Sequence, residues 1–278
     1  MSGRNYQGAT VVVTGAAGGL GRALCQRFAA AGANVAALDR DAATLNLLAA
    51  DLTAAGVRCL ALPCDVTDEA ACAAAIGQAA GHFGRIDVLV NNAGISHRSA
   101  LVDTAPDVIR RVMAVNFFGA LHATHAALPA LLAARGQVIA ISSVAGFAPL
   151  MGRAGYAASK HALHGFFDSL RTEVEDAGVG VLLVCPSFID TGIDRAALGA
   201  DGRPLNAARQ TAGRVTTPDE VADAVFRAAA GNRRALRFSA TAKAAWWLTR
   251  LWPQRYAAIM KRRFQGEYPT RAAPATMP

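Results

Sequence analysis

The sequence predicts a single α/β domain built on a doubly wound parallel sheet of about seven strands, followed by a basic helical extension. Three observations predict it. Six short runs, and less clearly a seventh, are apolar rather than alternating, the pattern of strands covered on both faces. Alanine-rich stretches of helical character lie between these runs, which implies right-handed crossovers from strand to parallel strand. No internal repeat and no linker composition interrupts the first 190 residues.

The elements follow in order. "TVVVT" (10–14) is β-branched and apolar, and a helix over 19–31 follows it. "NVAAL" (34–38) is the second strand, with a helix over 41–55; "RCLALP" (58–63) is the third, with a helix over 68–83. "IDVLVN" (86–91) leads to a long helix over 104–133, and "QVIAIS" (137–142) to one over 154–177. "GVLLVC" (180–185) is the sixth strand, and a helix over 218–230 precedes a weaker seventh, "RALRF" (234–238). Residues 190–217 are polar and contain glycine, the composition of a lid. The main domain is therefore expected over 1–238, lid included, and the extension over 239–278. Pro269, Pro274 and Pro278 mark the stretch after Phe264 as a disordered end.

A chain of 278 residues is ample for a core, and 53% hydrophobic against 17% charged residues is a globular composition. Cys25, Cys59, Cys64, Cys72 and Cys185 show no CxxC or paired spacing, which fits buried free thiols in a reducing compartment. The polar N-terminus runs into a strand without a leader pattern, and no apolar run approaches the roughly 20 residues that span a bilayer. A cytoplasmic location is expected. His122, His125, His161 and His164 have helical spacing without a carboxylate partner, so no metal site is expected. The formal charge of +8 sits at the end of the chain, where ten Lys/Arg from residue 230 onward face one acid, Glu267.

"VVVTGAAGGLGRAL" places Gly15, Gly19 and Gly21 at the turn from the first strand into the first helix. A pyrophosphate reaches backbone N–H groups there only if no Cβ stands in the way, and the helix N-terminus adds partial positive charge. Glycines also collect in ordinary tight turns; here they follow the first strand, and "LDRD" closes the second at the distance of a ribose contact. The spacing TGxxxGxG from Thr14 to Gly21, with "NNAG" (91–94) ending the fourth strand, resembles the short-chain dehydrogenase/reductase family. The resemblance covers roughly residues 8–230. It implies a Rossmann-like fold and a dinucleotide contacted by Thr14, Gly15, Gly19, Leu20 and Gly21. It also implies contacts from Asp65 and Val66 at the adenine, and from Asn92, Ala93 and Gly94 on the adenosine side.

"GYAASKHALHGFF" sets Tyr156 and Lys160 four residues apart, on one face of a helix. A phenol with a pKa near ~10 is a poor base at neutral pH, and a neighbouring ammonium favours its ionised form. Tyr-x-x-x-Lys alone is a common accident. Ser143, however, lies thirteen residues before Tyr156 at the end of the fifth strand, where doubly wound sheets bind ligands. Strand alternation should turn Ser142 away. Asn116 in "MAVNFFG" falls mid-helix, where Asn is mildly disfavoured. The family resemblance implies that Tyr156 exchanges a proton with the substrate oxygen and that Ser143 hydrogen-bonds that oxygen. By the same resemblance Lys160 lowers the Tyr156 pKa and binds the nicotinamide ribose, and Asn116 holds a water in a proton relay.

Asp39 ends the second strand, where a carboxylate can accept from both ribose hydroxyls and repels a 2′-phosphate; Arg40 next to it would attract one. NAD is the expected cofactor and NADP the alternative. In "CPSFIDTG", Pro186, Ile189 and Thr191 fall where the resemblance puts nicotinamide contacts, with Ser187 standing in place of the family's usual glycine. Phe147, Leu150, Met151 and Phe188 read either as the lining of an apolar substrate site or as packing. His97 reads as a solvent-facing loop residue.

The expected activity is interconversion of a secondary alcohol and a ketone on a small lipophilic substrate. The alternative is an NADPH-dependent 3-oxoacyl-carrier reductase, with the acidic carrier on the basic tail. A cofactor-binding protein without turnover would need neither Ser143 nor Tyr156. The resemblance implies a homodimer through 104–133 and 154–177, or a homotetramer. In "ATAKAAWWLTRLWPQRYAAIMKRRF", Trp246, Trp247 and Trp252 lie among arginines and Pro253 divides two short helices. Three readings stay open: packing over the pocket or a subunit, peripheral membrane contact through 240–264, and nucleic-acid binding. The last is not expected, because no binding module is visible.

Overall fold

Strand β1 (Thr10–Thr14) is buried at every position, as its unbroken β-branched run requires, and it lies inside a seven-stranded sheet. The computed structural model describes residues 3–193, 196–205 and 215–266. The other strands are β2 (Asn34–Asp39), β3 (Cys59–Pro63), β4 (Val88–Asn91), β5 (Gln137–Ile141), β6 (Gly180–Cys185) and β7 (Ala235–Arg237). Their order is β3-β2-β1-β4-β5-β6-β7, with every pairing parallel. β4 starts two residues later than expected, because Asp87 is used otherwise: its carboxylate accepts the Thr10 N–H at 2.9 Å and anchors the start of β1.

The strands are apolar throughout because successive residues feed opposite cores. Val11, Val13, Val35 and Val90 face one layer, with α1 (Gly19–Ala29), α2 (Ala42–Ala54) and α7 (Pro218–Ala230). Val12, Ala36, Leu89 and Val138 face the other, with α3 (Glu69–Phe83), α5 (Gly119–Ala134) and α6 (Ala154–Val174). Helix starts are set by local chemistry. Asp41 and Asp68 accept the Thr44 and Ala71 N–H groups, and Thr217 forms a reciprocal capping box with Glu220 behind Pro218.

The expected helix over 104–133 runs from Pro106 to Ala134 as α4 (Pro106–Met113), one wide π turn (Ala114–Phe118) and α5. Its length and composition would let it cross a membrane, at a mean hydropathy of 1.3, which a search for unbroken apolar runs overlooks. Val108, Val112, Ala123, Ala127 and Leu131 nevertheless bury one side of it against the protein.

The C-terminal segment forms α8 (Ala240–Leu251) and α9 (Pro253–Phe264), divided at Pro253, which occupies the first position of α9 where no N–H is needed. Both helices fold back onto the loop after β5. Ala245 and Tyr256 pack on Ala148, flanked by Phe147, Leu248 and Met260. Trp246 meets Phe147 edge-on at 5.0 Å and is stacked by Arg237 and Arg250, whose guanidinium carbons lie 3.5 and 3.0 Å from its ring centre. Residues 267–278, most of the expected disordered end, lie outside the described residues, as do 194–195 and 206–214 of the expected lid.

Candidate active site

A cavity of about 930 Å³ opens at the carboxyl ends of the strands, where β1 and β4 part and the winding of the sheet reverses. The NNAG segment closes its floor. Asn92 Nδ2 donates to the carbonyls of Thr14 and Gly15, both at 3.0 Å, and the N–H groups of Asn92 and Ala93 donate to Thr14 Oγ1 at 3.1 Å. Thr14 is thus buried beneath the cavity and does not face it; it is the tie between two strand ends. Asn91 points the other way, donating to Thr124 Oγ1 on α5 at 2.8 Å.

Gly15, Gly19, Leu20 and Gly21 face the cavity. Gly15 has φ +65°, and a Cβ on it would stand 2.8 Å from the Ala93 Cα. A Cβ on Gly19 would stand 3.1 Å from the Thr191 Cα, so the loop after β6 closes directly over the glycine turn. Among the described residues no side chain caps the N-terminus of α1, and no acid sits in its first turn. A bare helix start under a Cβ-free cradle fits the pyrophosphate of a dinucleotide. Asp39 stands beside it, its carboxylate accepting the N–H groups of Ala17 and Asp41 at 3.0 Å, with Arg40, Asp65 and Val66 on the same rim. Hydrogen bonds from Thr67 hold the Asp65 carboxyl below its ordinary range.

Ser143, Tyr156 and Lys160 line the same cavity, together with Pro186, Ile189 and Thr191. Lys160 is 4% exposed, donates to the Ile141 carbonyl at 2.9 Å, and lies 5.8 Å from the centre of the Tyr156 ring. Burial pulls its ammonium down to about 8. Ser143 Oγ accepts the Ala145 N–H at 3.1 Å, which leaves its hydroxyl hydrogen to donate elsewhere. Ser142 is turned to α6, donating to the Lys160 carbonyl at 3.3 Å.

Asn116 does not face the cavity. It lies in the π turn, 1% exposed, behind Gly94 and Lys160. Its amide pairs with the backbone of Ile95 and donates to Ser159 Oγ at 2.9 Å, and Ser159 in turn donates to the Tyr156 carbonyl. Sequence reasoning missed Ser159, since a serine one turn along a helix carries no signal of its own.

Leu150 and Phe188 line the cavity, whereas Phe147 supports it from behind through Trp246, and Met151 is not among its walls. Helices α8 and α9 supply a further wall, through Leu248, Tyr256, Ile259 and Met260. His97 is the clearest correction. It is 1% exposed rather than solvent-facing, because Leu198 bridges across it, and neither ring nitrogen has a hydrogen-bond partner among the described residues. Burial, with Arg153 nearby, holds its pKa below the ordinary histidine value.

The profile of the family described as "short chain dehydrogenase" matches residues 9–200. The chain belongs to the short-chain dehydrogenase/reductase family. Among curated relatives, the Bos taurus "Dehydrogenase/reductase SDR family member 7B" is 44% identical over 234 residues, covering 81% of this chain and 71% of that protein. An Anopheles gambiae "Dehydrogenase/reductase SDR family protein 7-like" is 35% identical over 267 residues, covering 94% and 84%. A short-chain dehydrogenase/reductase from Burkholderia phymatum, solved in complex with NAD, superposes with a TM-score of 0.75 at 26% identity, covering 99% of this chain and 100% of that one. A short-chain dehydrogenase from Streptomyces avermitilis gives 0.77 at 27% identity, covering 93% and 98%. As a short-chain dehydrogenase/reductase the protein is an oxidoreductase of a family that works with NAD or NADP.

Proposed function

We propose that this short-chain dehydrogenase/reductase interconverts a secondary alcohol and a ketone of a lipophilic substrate, with NAD(H) as its cofactor. The observation that carries the reading is the buried Lys160 ammonium beside Tyr156, in one cavity with the glycine cradle. When bound, the nicotinamide would supply or accept the hydride.

The chain's own part is binding and proton handling. Gly15, Gly19, Leu20 and Gly21 would hold the pyrophosphate, Asp39 the adenosine ribose, and Asp65 and Val66 the adenine. Asn92, Ala93 and Gly94 would support the adenosine side, and Pro186, Ile189 and Thr191 the nicotinamide. In the reducing direction the Tyr156 hydroxyl gives its proton to the substrate oxygen while Ser143 donates a hydrogen bond to it. Lys160 makes the resulting phenolate easier to hold. Asn116 acts at one remove, by positioning. Leu150, Phe188, Leu248 and Met260 favour an apolar substrate body. The exposed Phe118 and Leu132 fit a homodimer contact on the rod of α4 and α5.

Titration with NADH and NADPH, followed by fluorescence in the wild type and Asp39→Ala, tests the cofactor. Tighter NADH binding that loses its advantage in the variant supports Asp39. A wild-type preference for NADPH makes Arg40 the reader and brings the 3-oxoacyl-carrier reductase forward. Turnover of a panel of alcohols tests the chemistry; if Tyr156→Phe keeps full activity, the proton route is wrong.

A further inference from the structure

Helices α8 and α9 have two faces. Their inner face walls the cavity through Ala245, Leu248, Tyr256 and Met260. Their outer face is apolar and exposed: Trp247 is 62% exposed, Leu251 57%, Trp252 51% and Ile259 52%. Trp247 and Leu251 stand one turn apart on α8; Trp252, at the junction of the two helices, and Ile259 on α9 are exposed as well. Residues 240–264 contain no acid, while Lys243, Arg250, Arg255, Lys261 and Arg262 are all exposed among these apolar groups. Ile259 belongs to both faces, since it lines the cavity and is half in solvent, so the cavity reaches the surface beside the patch.

We propose that the outer face of α8 and α9 docks on an anionic lipid bilayer and that the cavity opens toward that bilayer. Charge complementarity selects this occupant. An acid-free cationic helix pair with tryptophans among its arginines suits anionic headgroups, with the indoles at headgroup level and the aliphatic side chains beneath. A second copy of the chain would bring the same cations together at a shared patch, with no acid on the helices to meet them. The amphipathic pair lies on the bilayer and does not span it. Docking itself stands apart from the ketone chemistry; passage of a lipophilic substrate from bilayer to cavity rests on that chemistry.

The test is flotation of the full chain with NADH present, on phosphatidylcholine vesicles and on the same vesicles doped with phosphatidylserine. The expected result is binding to the anionic vesicles only, weakened by salt, with partitioning falling about fivefold for each cation removed in Lys243→Gln, Arg255→Gln and Lys261→Gln. Trp247→Ser with Leu251→Ser should also abolish binding while NADH affinity stays at the wild-type value, which shows that the variant is folded. Absence of binding to anionic vesicles overturns the proposal. So does equal, salt-insensitive binding to phosphatidylcholine alone. Concentration-dependent dimerisation that Trp247→Ser abolishes, without vesicle binding, assigns the face to a second copy and overturns it as well. Flotation is read without turnover, so its failure and a failure of the proposed chemistry are separate results.

Discussion

Asn116 Oδ1 accepts the N–H of Ile95 at 2.8 Å, and Asn116 Nδ2 returns a bond to the Ile95 carbonyl at 3.0 Å. One side chain thus completes the backbone bonding of the residue after Gly94, much as a neighbouring strand would. The π turn makes this reachable: it widens the helix at the position where the amide must reach out to a loop. With its second hydrogen on Ser159, the amide links the floor of the cavity to the helix that carries Tyr156 and Lys160.

Asn116→Asp should therefore destabilise the protein by about 2–3 kcal/mol, because a carboxylate would face the Ile95 carbonyl and the Ser159 oxygen with no hydrogen to give. Urea unfolding monitored by circular dichroism measures this. An unchanged midpoint would show that the pairing holds nothing in place.

Lys160 gives a prediction whose sign depends on pH. Its pKa falls from 10.5 to about 8 in the folded protein, mainly through burial. Below pH 8 both folded and unfolded states carry the charge and the folded state bears the full desolvation penalty; above 10.5 neither does. Between these limits the unfolded state binds more protons, so this group's contribution to stability rises with pH. Lys160→Met, measured without nucleotide, should be more stable than wild type at pH 7 by about 2 kcal/mol, after about 1 kcal/mol for the lost bond to Ile141. The advantage should vanish by pH 10.5, and turnover should be lost at every pH.

The parts of the site that sequence reasoning found are those where local chemistry restricts the residue type. A glycine turn that cannot tolerate a Cβ, an acid closing β2, and a Tyr and Lys one helical turn apart are all legible without the fold. What escaped depends on contacts between distant segments. His97 is buried because the Arg98 N–H donates to the Leu198 carbonyl and the Leu198 N–H to the Ser96 carbonyl, both at 2.8 Å, and nothing near residue 97 announces a partner a hundred residues away. The π turn escaped because the apolar periodicity of a 29-residue helical rod runs through it. Packing of α8 over the pocket was one of three readings the sequence left open; choosing it needs the fold, since the stacking of Trp246 between Arg237 and Arg250 requires β7 and α8 already in place.

His97 also predicts an acid response. Its folded pKa lies below 6.5, so as pH falls through 6.5 the unfolded state takes up the proton first and the native state loses stability. His97→Leu should gain about 1 kcal/mol at pH 7.5, where the neutral ring leaves two buried nitrogens without partners among the described residues. The gain should grow between pH 6.5 and 5. Part of the acid slope must remain in the variant, because burial drives His164 down to about 4. Parallel stability curves for the two proteins across that range would show that His97 is not held neutral.

The same substitution at two glycines should give opposite signs. A Cβ on Gly21 would stand 2.0 Å from the Gly15 carbonyl oxygen and 2.8 Å from the Ala16 Cα, both backbone atoms of the turn itself. Gly21→Ala must push that turn away from the start of α1, so stability should fall by about 1–3 kcal/mol and NADH affinity at least tenfold. Gly77 lies within α3, and a Cβ on it would meet nothing within 4 Å, so Gly77→Ala should gain about 0.5–1 kcal/mol from the stiffer unfolded chain. Thermal unfolding with and without NADH separates the two effects. The Gly77 variant should keep the wild-type nucleotide shift in Tm, and the Gly21 variant should lose it. A Gly21 variant that binds NADH normally would show that the close approach of turn and helix is not what shapes the cradle.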